Sequence, residues 1–301
     1  MRLDDTLAQL PYLGQPLEIR ELPGGLTNHN YRVRTVTHDV VVRLSSTETD
    51  LLSVDREHEW LNSRAAATAG VGAPVIDYLP GKGVLVVAFL PGITYTADDV
   101  AANLPRVAAA LRRLHGGPEF ASRFDMFEVQ RSYAEVVDAR QMPLPDGYED
   151  LASTVARVEQ ALRLRPEPLV PCHNDLLPAN ILDDGGDLRI IDYEYSGMNE
   201  ASFELGNLAC ESHLDREALS QLVASYHGQA TEPSQALVAR AELWGLVGRY
   251  AWTLWGVIQH AVSDVDHDFW SFAMERFEPA AALLTSSRLG SLLSAVTADP
   301  S

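Results

Sequence analysis

Four polar residues lie close together in the second half of the chain, at spacings that suit phosphoryl transfer. His173 and Asp175 are followed by Asn180 in the pattern H-x-D-x4-N, and Asp192 comes after a later apolar run. Phosphoryl transfer requires a carboxylate near the acceptor hydroxyl, metal ions that neutralise the phosphates, and in-line positioning. We therefore predict a catalytic group of Asp175, His173 and Asn180, in which Asp175 orients or deprotonates the hydroxyl. Asn180 and Asp192 supply the hard oxygen ligands that Mg²⁺ prefers.

The predictive value of this pattern lies in the combination of its parts. A His-x-Asp pair is common by chance, and a lone aspartate after a strand is usually a turn former. Together with Asn180 the pattern is far more specific, and His173 is expected to brace the loop by hydrogen bonding. Two other classes of protein are alternatives, a pseudokinase that binds a nucleotide or a cation, and a helical scaffold without a pocket. The intact set of Asp175, Asn180 and Asp192 argues against both.

These residues belong to a short strand-loop-strand segment set among helices. LVPCHNDLLPANIL, over 169–182, and LRIIDYEY, over 188–195, are predicted to form strands around the turn DDGGD. A polar loop between buried strands is a common location for catalytic groups. Apolar residues at helical spacing predict the surrounding helices, which lie near 104–115, 131–139, 149–164, 215–228, 233–262 and 266–287.

The first ninety residues have a different pattern, rich in β-branched and alternating apolar residues. Five strands and one helix are predicted there, with strands at 17–22, 31–36, 39–44, 74–79 and 83–90 and the helix at 55–68. Pro91-Gly92 then ends this region. The sequence therefore predicts an α+β fold with a small β-rich lobe, a hinge and a larger, mainly helical lobe.

Charge and composition exclude several kinds of partner. The chain has 301 residues, of which 46% are hydrophobic, and its 23 basic and 42 acidic residues give a formal net charge of −19. Such an acidic surface repels phosphate backbones and anionic lipids, so we expect no nucleic acid or membrane partner. A positively charged substrate would be attracted.

The sequence also predicts a cytoplasmic protein. Two cysteines offer neither a disulfide framework nor zinc spacing. The start, MRLDDTLAQLPYL, lacks the basic and apolar regions of a secretory signal. The most apolar stretch, 243–262, is interrupted by Arg249, Gln259 and His260, so it is interpreted as a buried helix.

The segment CHNDLLPANIL, with the later IIDYEYSGMNEASFELGNLACE, resembles choline/ethanolamine kinases. With aminoglycoside phosphotransferases, these belong to the protein-kinase-like small-molecule kinases. Asp175 matches the catalytic aspartate of that group, and Asn180 and Asp192 match its metal-binding positions. The resemblance implies a two-lobe protein-kinase-like fold with ATP as co-substrate and Mg²⁺ as cofactor. It assigns 1–90 to a nucleotide-binding lobe and 91–301 to a catalytic and acceptor-binding lobe.

A glycine-rich turn between the first two predicted strands is a candidate phosphate loop. Gly24 and Gly25 would let the backbone approach phosphates, and Thr27 and Asn28 add possible donors. An ordinary hairpin turn explains the same residues. The turn lacks the G-x-G-x-x-G spacing of protein kinases but resembles the phosphate loop of choline kinases.

The third predicted strand carries Arg43 where protein kinases place a lysine. Arginine is a permanent cation with a planar fork that suits phosphate and carboxylate, and choline kinases resemble this sequence in having it. The resemblance implies an ion-pair partner on the following helix, where Glu59 is favoured over Glu57 because its distance from the glycine turn matches the family better. A surface charge cluster explains either glutamate equally simply. By the same resemblance, Ala88 and Leu90 lie at a hinge where backbone groups would contact adenine.

An aromatic cluster in the last third of the chain is the candidate acceptor site. Trp252 and Trp255 share one helix face, and Phe272 follows on the next predicted helix. Such clusters are core in most proteins. In choline kinases, however, the matching helix carries aromatics that surround a quaternary ammonium, by an attraction of about 2 kcal/mol when desolvated. Glu211 would add a carboxylate near the cation.

The acceptor itself is left open by the sequence. Choline and ethanolamine both place a cation two carbons from a hydroxyl, and the residues do not distinguish them. Another hydroxyl acceptor, such as an aminoglycoside or thiamine, would use the same chemistry. We therefore predict an ATP:alcohol phosphotransferase whose acceptor is a small, cationic hydroxyl compound.

Overall fold

Alternating apolar residues build a five-stranded antiparallel sheet near the N terminus. The computed structural model describes residues 2–23, 28–45, 54–229 and 233–298. Val40 and Val42 on one strand and Val84 and Val86 on another are buried in one apolar cluster, and residues two apart in a strand share a face. The strands lie in the order β1-β2-β3-β5-β4, and their bounds are β1 Glu18–Leu22, β2 Asn28–Arg34, β3 Asp39–Ser45, β4 Val75–Leu79 and β5 Val84–Ala88.

Two helices accompany this sheet. The predicted one, α2 (Arg56–Thr68), begins at the N-cap Asp55, whose carboxylate accepts from two backbone N–H groups of the first turn. A shorter helix that the sequence did not suggest, α1 (Leu3–Leu7), precedes the sheet. Leu10 and Leu13 follow it and pack in the same apolar cluster as the sheet valines. The N-terminal segment thereby covers the sheet.

Helices make up most of the remaining chain, so the predicted combination of a β-rich N-terminal part and a larger helical part is confirmed. Their bounds are α3 Ala97–Ala102, α4 Leu104–His115, α5 Met126–Ala139, α6 Ala152–Leu164, α7 Ala201–Glu211, α8 Arg216–Tyr226, α9 Gln235–Val262, α10 Phe269–Leu284 and α11 Arg288–Thr297. Among the described residues, none of these helices combines the length and the apolar character needed to cross a membrane.

The long helix α9 is the centre of the helical part and contacts α5, α7, α10 and α11. Helix α7 is one of these neighbours, and the two backbones approach closely at a pair of glycines. A Cβ on Gly206 would lie 1.9 Å from the carbonyl oxygen of Ala241, and one on Gly245 would lie 2.6 Å from that of Gly206. Only glycine fits at such an approach, which fixes α7 against α9.

Short strands frame the polar loop predicted from the sequence. β10 pairs with β7, and a second small sheet has the order β6-β8-β9. The bounds are β6 Ile93–Thr94, β7 Leu169–Cys172, β8 Ile181–Asp183, β9 Leu188–Ile190 and β10 Gly197–Glu200.

One sequence-based strand assignment was wrong in its extent, and a buried helix was missed. The strand predicted over 188–195 ends at Ile190, because Asp192 adopts a left-handed φ of 70° and the chain then turns with Ser196 N–H donating to Tyr193 O. Helix α7 was not predicted, since it is buried along almost its entire length and has no polar face to reveal a helical period.

Candidate active site

The loop after β7 is held in an unusual backbone conformation. Asn174 has a φ of 68°, in the left-handed region that asparagine tolerates better than most residues. Its side-chain amide donates to the carbonyl oxygen of Tyr195 at 3.0 Å and accepts from Asn199 at 2.9 Å. Asn174 is fully buried, so these bonds fix the turn that presents Asp175.

A buried glutamate of α7 supports the same loop from below. The Glu204 carboxylate accepts from the backbone N–H of His173 at 2.7 Å and of Asn174 at 2.9 Å. His115 Nε2 lies 3.2 Å from Glu204 Oε2, the oxygen that also accepts from His173. Burial acts to raise the pKa of Glu204, but the hydrogen bond and charge of His115 and the bonds from the loop outweigh it and lower that pKa. Sequence reasoning missed Glu204, although a lone acidic residue in the apolar run SFELGN was a usable signal.

His173 connects this loop to the segment that leads to Asp192. Its Nε2 lies 2.8 Å from the carbonyl oxygen of Ile191, and its ring packs against Tyr193 at a centroid distance of 5.1 Å. The Asp175 N–H points at the other ring nitrogen, 3.3 Å away. This is the geometry of a bracing residue, as expected from the sequence.

Asp175 lies among like charges in a partly buried position. Desolvation raises the pKa of its carboxyl well above the usual value, and the carboxylates of Glu211, Glu194 and Asp192 raise that pKa further. Arg276 acts in the opposite direction. A site with this many carboxylates attracts cations, whether a metal ion or a charged substrate.

A backbone hydrogen bond links Asn180 to Ile191, the residue before Asp192. Ile191 N–H donates to Asn180 O at 2.9 Å, and the Asn180 side-chain amide donates to Asp175 O at 3.1 Å. The amide nitrogen is thereby engaged, which leaves the amide oxygen as the ligand atom. A carboxylate and an amide oxygen are hard donors of the kind that Mg²⁺ takes, so the pair fits this metal.

Arg43, on the N-terminal sheet, contacts Asp192 across the interface between the sheet and the helical part. Arg43 on β3 forms an ion pair with Glu59 on α2, the partner that the sequence favoured, while Glu57 is exposed. The Arg43 guanidinium also donates to Asp192 Oδ1 at 2.5 Å. Both Arg43 and Glu59 are buried, so Arg43 links the N-terminal sheet to the candidate metal site.

Arg56 is a second cation at this interface and was not singled out from the sequence. It lies 2.8 Å from Glu59 and 3.1 Å from Glu194, which follows Asp192 by two residues. Asn28 donates to Glu194 at 3.0 Å and accepts from Arg56 at 3.2 Å. The sequence could have indicated Arg56, because it begins α2 directly before Glu57, one of the two glutamates compared as partners of Arg43.

The remaining nucleotide-site predictions are only partly covered by the structure. Gly24, Gly25 and Thr27 lie outside the described residues. Asn28 is described and begins β2. Ala88 is the last residue of β5 and Leu90 follows it, half-buried, just before the chain enters the helical part.

The predicted acceptor tryptophans are in the largest apolar cluster of the protein. Trp252 is 5% exposed and Trp255 is 6% exposed. The indole N–H of Trp255 donates to the Tyr195 hydroxyl at 3.0 Å, and the Tyr195 ring meets Trp252 edge-on at 5.0 Å between centroids. Tyr195 is thus part of this cluster. Sequence reasoning missed it, although it ends the DYEY motif.

Glu211 and Phe272 meet at an arginine from α10. Arg276 donates to Glu211 at 2.6 Å, and its guanidinium carbon lies 3.3 Å from the centre of the Phe272 ring. Phe272 in turn lies 5.0 Å from Trp255. The carboxylate that was expected to receive a substrate cation therefore already has an internal partner.

A cavity of about 290 Å³ opens beside Glu194 and Tyr195. Its other charged lining residues are mostly acidic, with Asp55, Asp125 and Glu128 against one arginine. The electrostatic character of this cleft therefore favours a cation.

Comparisons with known proteins show the family to which this chain belongs. The phosphotransferase enzyme family matches residues 18–243. LicA of Haemophilus influenzae is 29% identical over 278 residues, covering 87% of this chain and 78% of that protein. Ethanolamine kinase 2 of Rattus norvegicus is 29% identical over 264 residues, covering 79% and 68%. The crystal structure of a choline/ethanolamine kinase family protein from Mesorhizobium loti superposes with a TM-score of 0.84, 32% identity and 99% coverage of both chains. This chain belongs to the phosphotransferase enzyme family.

Proposed function

We propose that the protein transfers the γ-phosphoryl group of ATP to the hydroxyl of a small amino alcohol, choline or ethanolamine, with Mg²⁺. The observation that carries this proposal is the meeting of Asp175, Asn180 and Asp192 on one hydrogen-bonded frame, with Arg43 reaching that frame from the other side. The likeness to choline and ethanolamine kinases supports the choice of acceptor.

Asp175 is the group proposed to handle the acceptor proton. Its surroundings raise its pKa, and a carboxylate with a raised pKa is a better general base near neutral pH. His173 and Asn174 hold its backbone through bonds to Ile191 and Glu204. Asp175 would accept the hydroxyl proton, or orient the hydroxyl, as the oxygen attacks the phosphorus.

Asn180 and Asp192 are the residues that would hold Mg²⁺. When bound, the ion would neutralise charge on the phosphates. Asn180 would contribute its amide oxygen and Asp192 its carboxylate, and the backbone bond between Ile191 and Asn180 links the segments that carry them.

Arg43 is proposed to bind the phosphates of ATP, with Glu59 holding its guanidinium in place. Both are buried at the interface, and a planar guanidinium suits the phosphate oxygens. The glycine turn 24–27 and the backbone of Ala88 and Leu90 would complete the nucleotide site. We place the boundary of the nucleotide-binding lobe at residue 90.

A cationic acceptor is supported by the charges around Asp175 and by the formal net charge of −19. The aromatic cluster of Trp252, Trp255 and Phe272 offers ring faces and edges near Glu211. Ring faces attract ammonium groups. We propose that this cluster binds the cationic end of the acceptor.

A coupled assay of ADP release tests the proposal directly. Choline, ethanolamine, thiamine and a panel of aminoglycosides are compared at equal concentration, with and without EDTA, and Asp175→Ala serves as the inactive control. We expect Mg²⁺-dependent turnover with choline or ethanolamine. Turnover confined to thiamine or an aminoglycoside would refute the acceptor assignment, and ADP release equal in wild type and Asp175→Ala would refute the site.

A further inference from the structure

Arg276 is a cation that the protein itself places in the candidate acceptor site. It donates a hydrogen bond to Glu211 at 2.6 Å, and the central carbon of its guanidinium lies over the Phe272 ring, 3.3 Å from the ring centre. We propose that Arg276 is a specificity-determining residue that makes the site prefer a quaternary ammonium to a primary one. The inference rests on the proposed function for the identity of the acceptor.

A continuous set of contacts joins Arg276 to the buried tryptophans. Phe272 lies 5.0 Å from Trp255, whose indole N–H donates to the Tyr195 hydroxyl. Tyr195 then meets Trp252 at 5.0 Å. The guanidinium therefore borders the aromatic cluster, and removing its charge should change the affinity of this cluster for a cation.

The contacts of Arg276 indicate that it stays in place when an acceptor binds. The side chains of Arg276 and Glu211 are only 12% and 9% exposed. Removing one member of a buried ion pair leaves the other as an uncompensated charge, which is strongly unfavourable. An ammonium that displaced Arg276 would make the same contacts with Glu211 and Phe272 that the guanidinium makes already. Its binding would therefore gain little free energy from the exchange.

The consequence is that two acceptors at the aromatic cluster already have donors. A primary ammonium carries three donors that need acceptors, but Glu211 Oε2 already accepts from Arg276, and the Tyr195 hydroxyl already receives the indole N–H of Trp255. A quaternary ammonium has no N–H and is attracted to ring faces instead. The arrangement therefore favours choline over ethanolamine.

The test measures binding of two simple probes, tetramethylammonium and methylammonium, by calorimetry. The variants are Arg276→Met, which keeps length and apolar contact with Phe272, Glu211→Gln, and the neutral double variant. Arg288→Met is the matched control, because Arg288 pairs with Glu242 on a different surface at 2.7 Å. Thermal unfolding and Mg·ATP affinity report whether each variant is folded.

We expect Arg276→Met to shift the ratio of affinities towards methylammonium by about tenfold, since it frees a carboxylate to accept charged hydrogen bonds. Glu211→Gln should lower the affinity for tetramethylammonium by about tenfold, because it leaves the Arg276 guanidinium unpaired beside the probe. The double variant should recover most of that loss, and Arg288→Met should match wild type.

Three results overturn the inference. One is an unchanged ratio in folded Arg276→Met. Another is a loss in Glu211→Gln that the double variant does not recover, since this means that Glu211 contacts the cation directly. The third is that neither probe binds the wild type. If Arg276→Met does not fold, the comparison of Glu211→Gln with the neutral double variant decides alone.

The proposed function fails differently. A wild type that binds tetramethylammonium in the expected pattern, but releases no ADP with choline or ethanolamine, would refute the amino alcohol kinase and support the role of Arg276 as a selector of cations.

Discussion

Replacing Glu204 by glutamine tests whether the catalytic loop is positioned by the buried carboxylate beneath it. Each of the two carboxylate oxygens accepts a loop N–H, from His173 at 2.7 Å and from Asn174 at 2.9 Å. Glutamine offers one oxygen and one NH₂ group, so in either orientation one loop N–H faces a donor. The substitution keeps the size of the side chain and changes only its charge and hydrogen bonding.

The expected loss follows from these contacts. A hydrogen bond to a charged group is worth about 1.5–3 kcal/mol, and a buried N–H left without an acceptor costs about 1–3 kcal/mol. We therefore expect the free energy of unfolding to fall by roughly 2–4 kcal/mol. Because Asp175 follows directly after Asn174, a displaced loop should also lower kcat by about 10²-fold.

The same residue predicts a difference in pH dependence. The folded-state pKa of Glu204 is lowered, so its contribution to stability is complete above the unfolded-state pKa, near pH 4.3, and declines as pH falls through the folded-state value. The difference in unfolding free energy between wild type and Glu204→Gln should therefore shrink in acid.

Urea unfolding at pH 7 and pH 4, with steady-state kinetics at pH 7, would measure both effects. Glu278→Gln is the control, because Glu278 is exposed on α10. A folded Glu204→Gln variant with wild-type kcat would refute the positioning argument, whatever its stability. A stability difference that stays constant with pH would refute the argument from the lowered pKa.

Four further outcomes are expected. Asp175→Ala should lower kcat by about 10²–10⁴ while calorimetry still shows Mg·ATP binding, and near-normal turnover would remove Asp175 from the catalytic role. Asp192→Ala should abolish Mg²⁺-dependent ATP binding, and unchanged affinity in calorimetry would place the metal elsewhere. Trp252→Leu or Trp255→Leu should lower choline kcat/KM by roughly 5–30-fold with little change in the KM for ATP; equal losses for both substrates would show that the rings are core only. Gly245→Ala should destabilise the fold by more than about 1 kcal/mol, since its methyl group would meet the backbone of α7, and an unchanged melting temperature would contradict that packing.

The sequence by itself predicted the larger elements and indicated which residues of the central loop could act in phosphoryl transfer. Residues with clear periodicity were located closely, as for α4 at Leu104–His115 and α2 at Arg56–Thr68, because local burial patterns reflect the side that faces the core. The spacing H-x-D-x4-N predicted one site because its members are close in sequence and share a loop. Arg43 and Glu59 could be paired because the resemblance to choline kinases indicated which glutamate of the following helix was the partner.

What only the tertiary structure decided concerns residues that meet from distant parts of the chain. Arg276 and Glu211 are 65 positions apart, and Arg56 and Glu194 are 138 apart. No local periodicity encodes such contacts, because they depend on how α7, α10 and the sheet pack. The helix α7 escaped prediction for a related reason, since complete burial removes the polar face by which a helix is recognised in sequence. The sequence therefore indicated which groups could carry the chemistry. The packing of distant elements determined which of the charged residues near the site form ion pairs.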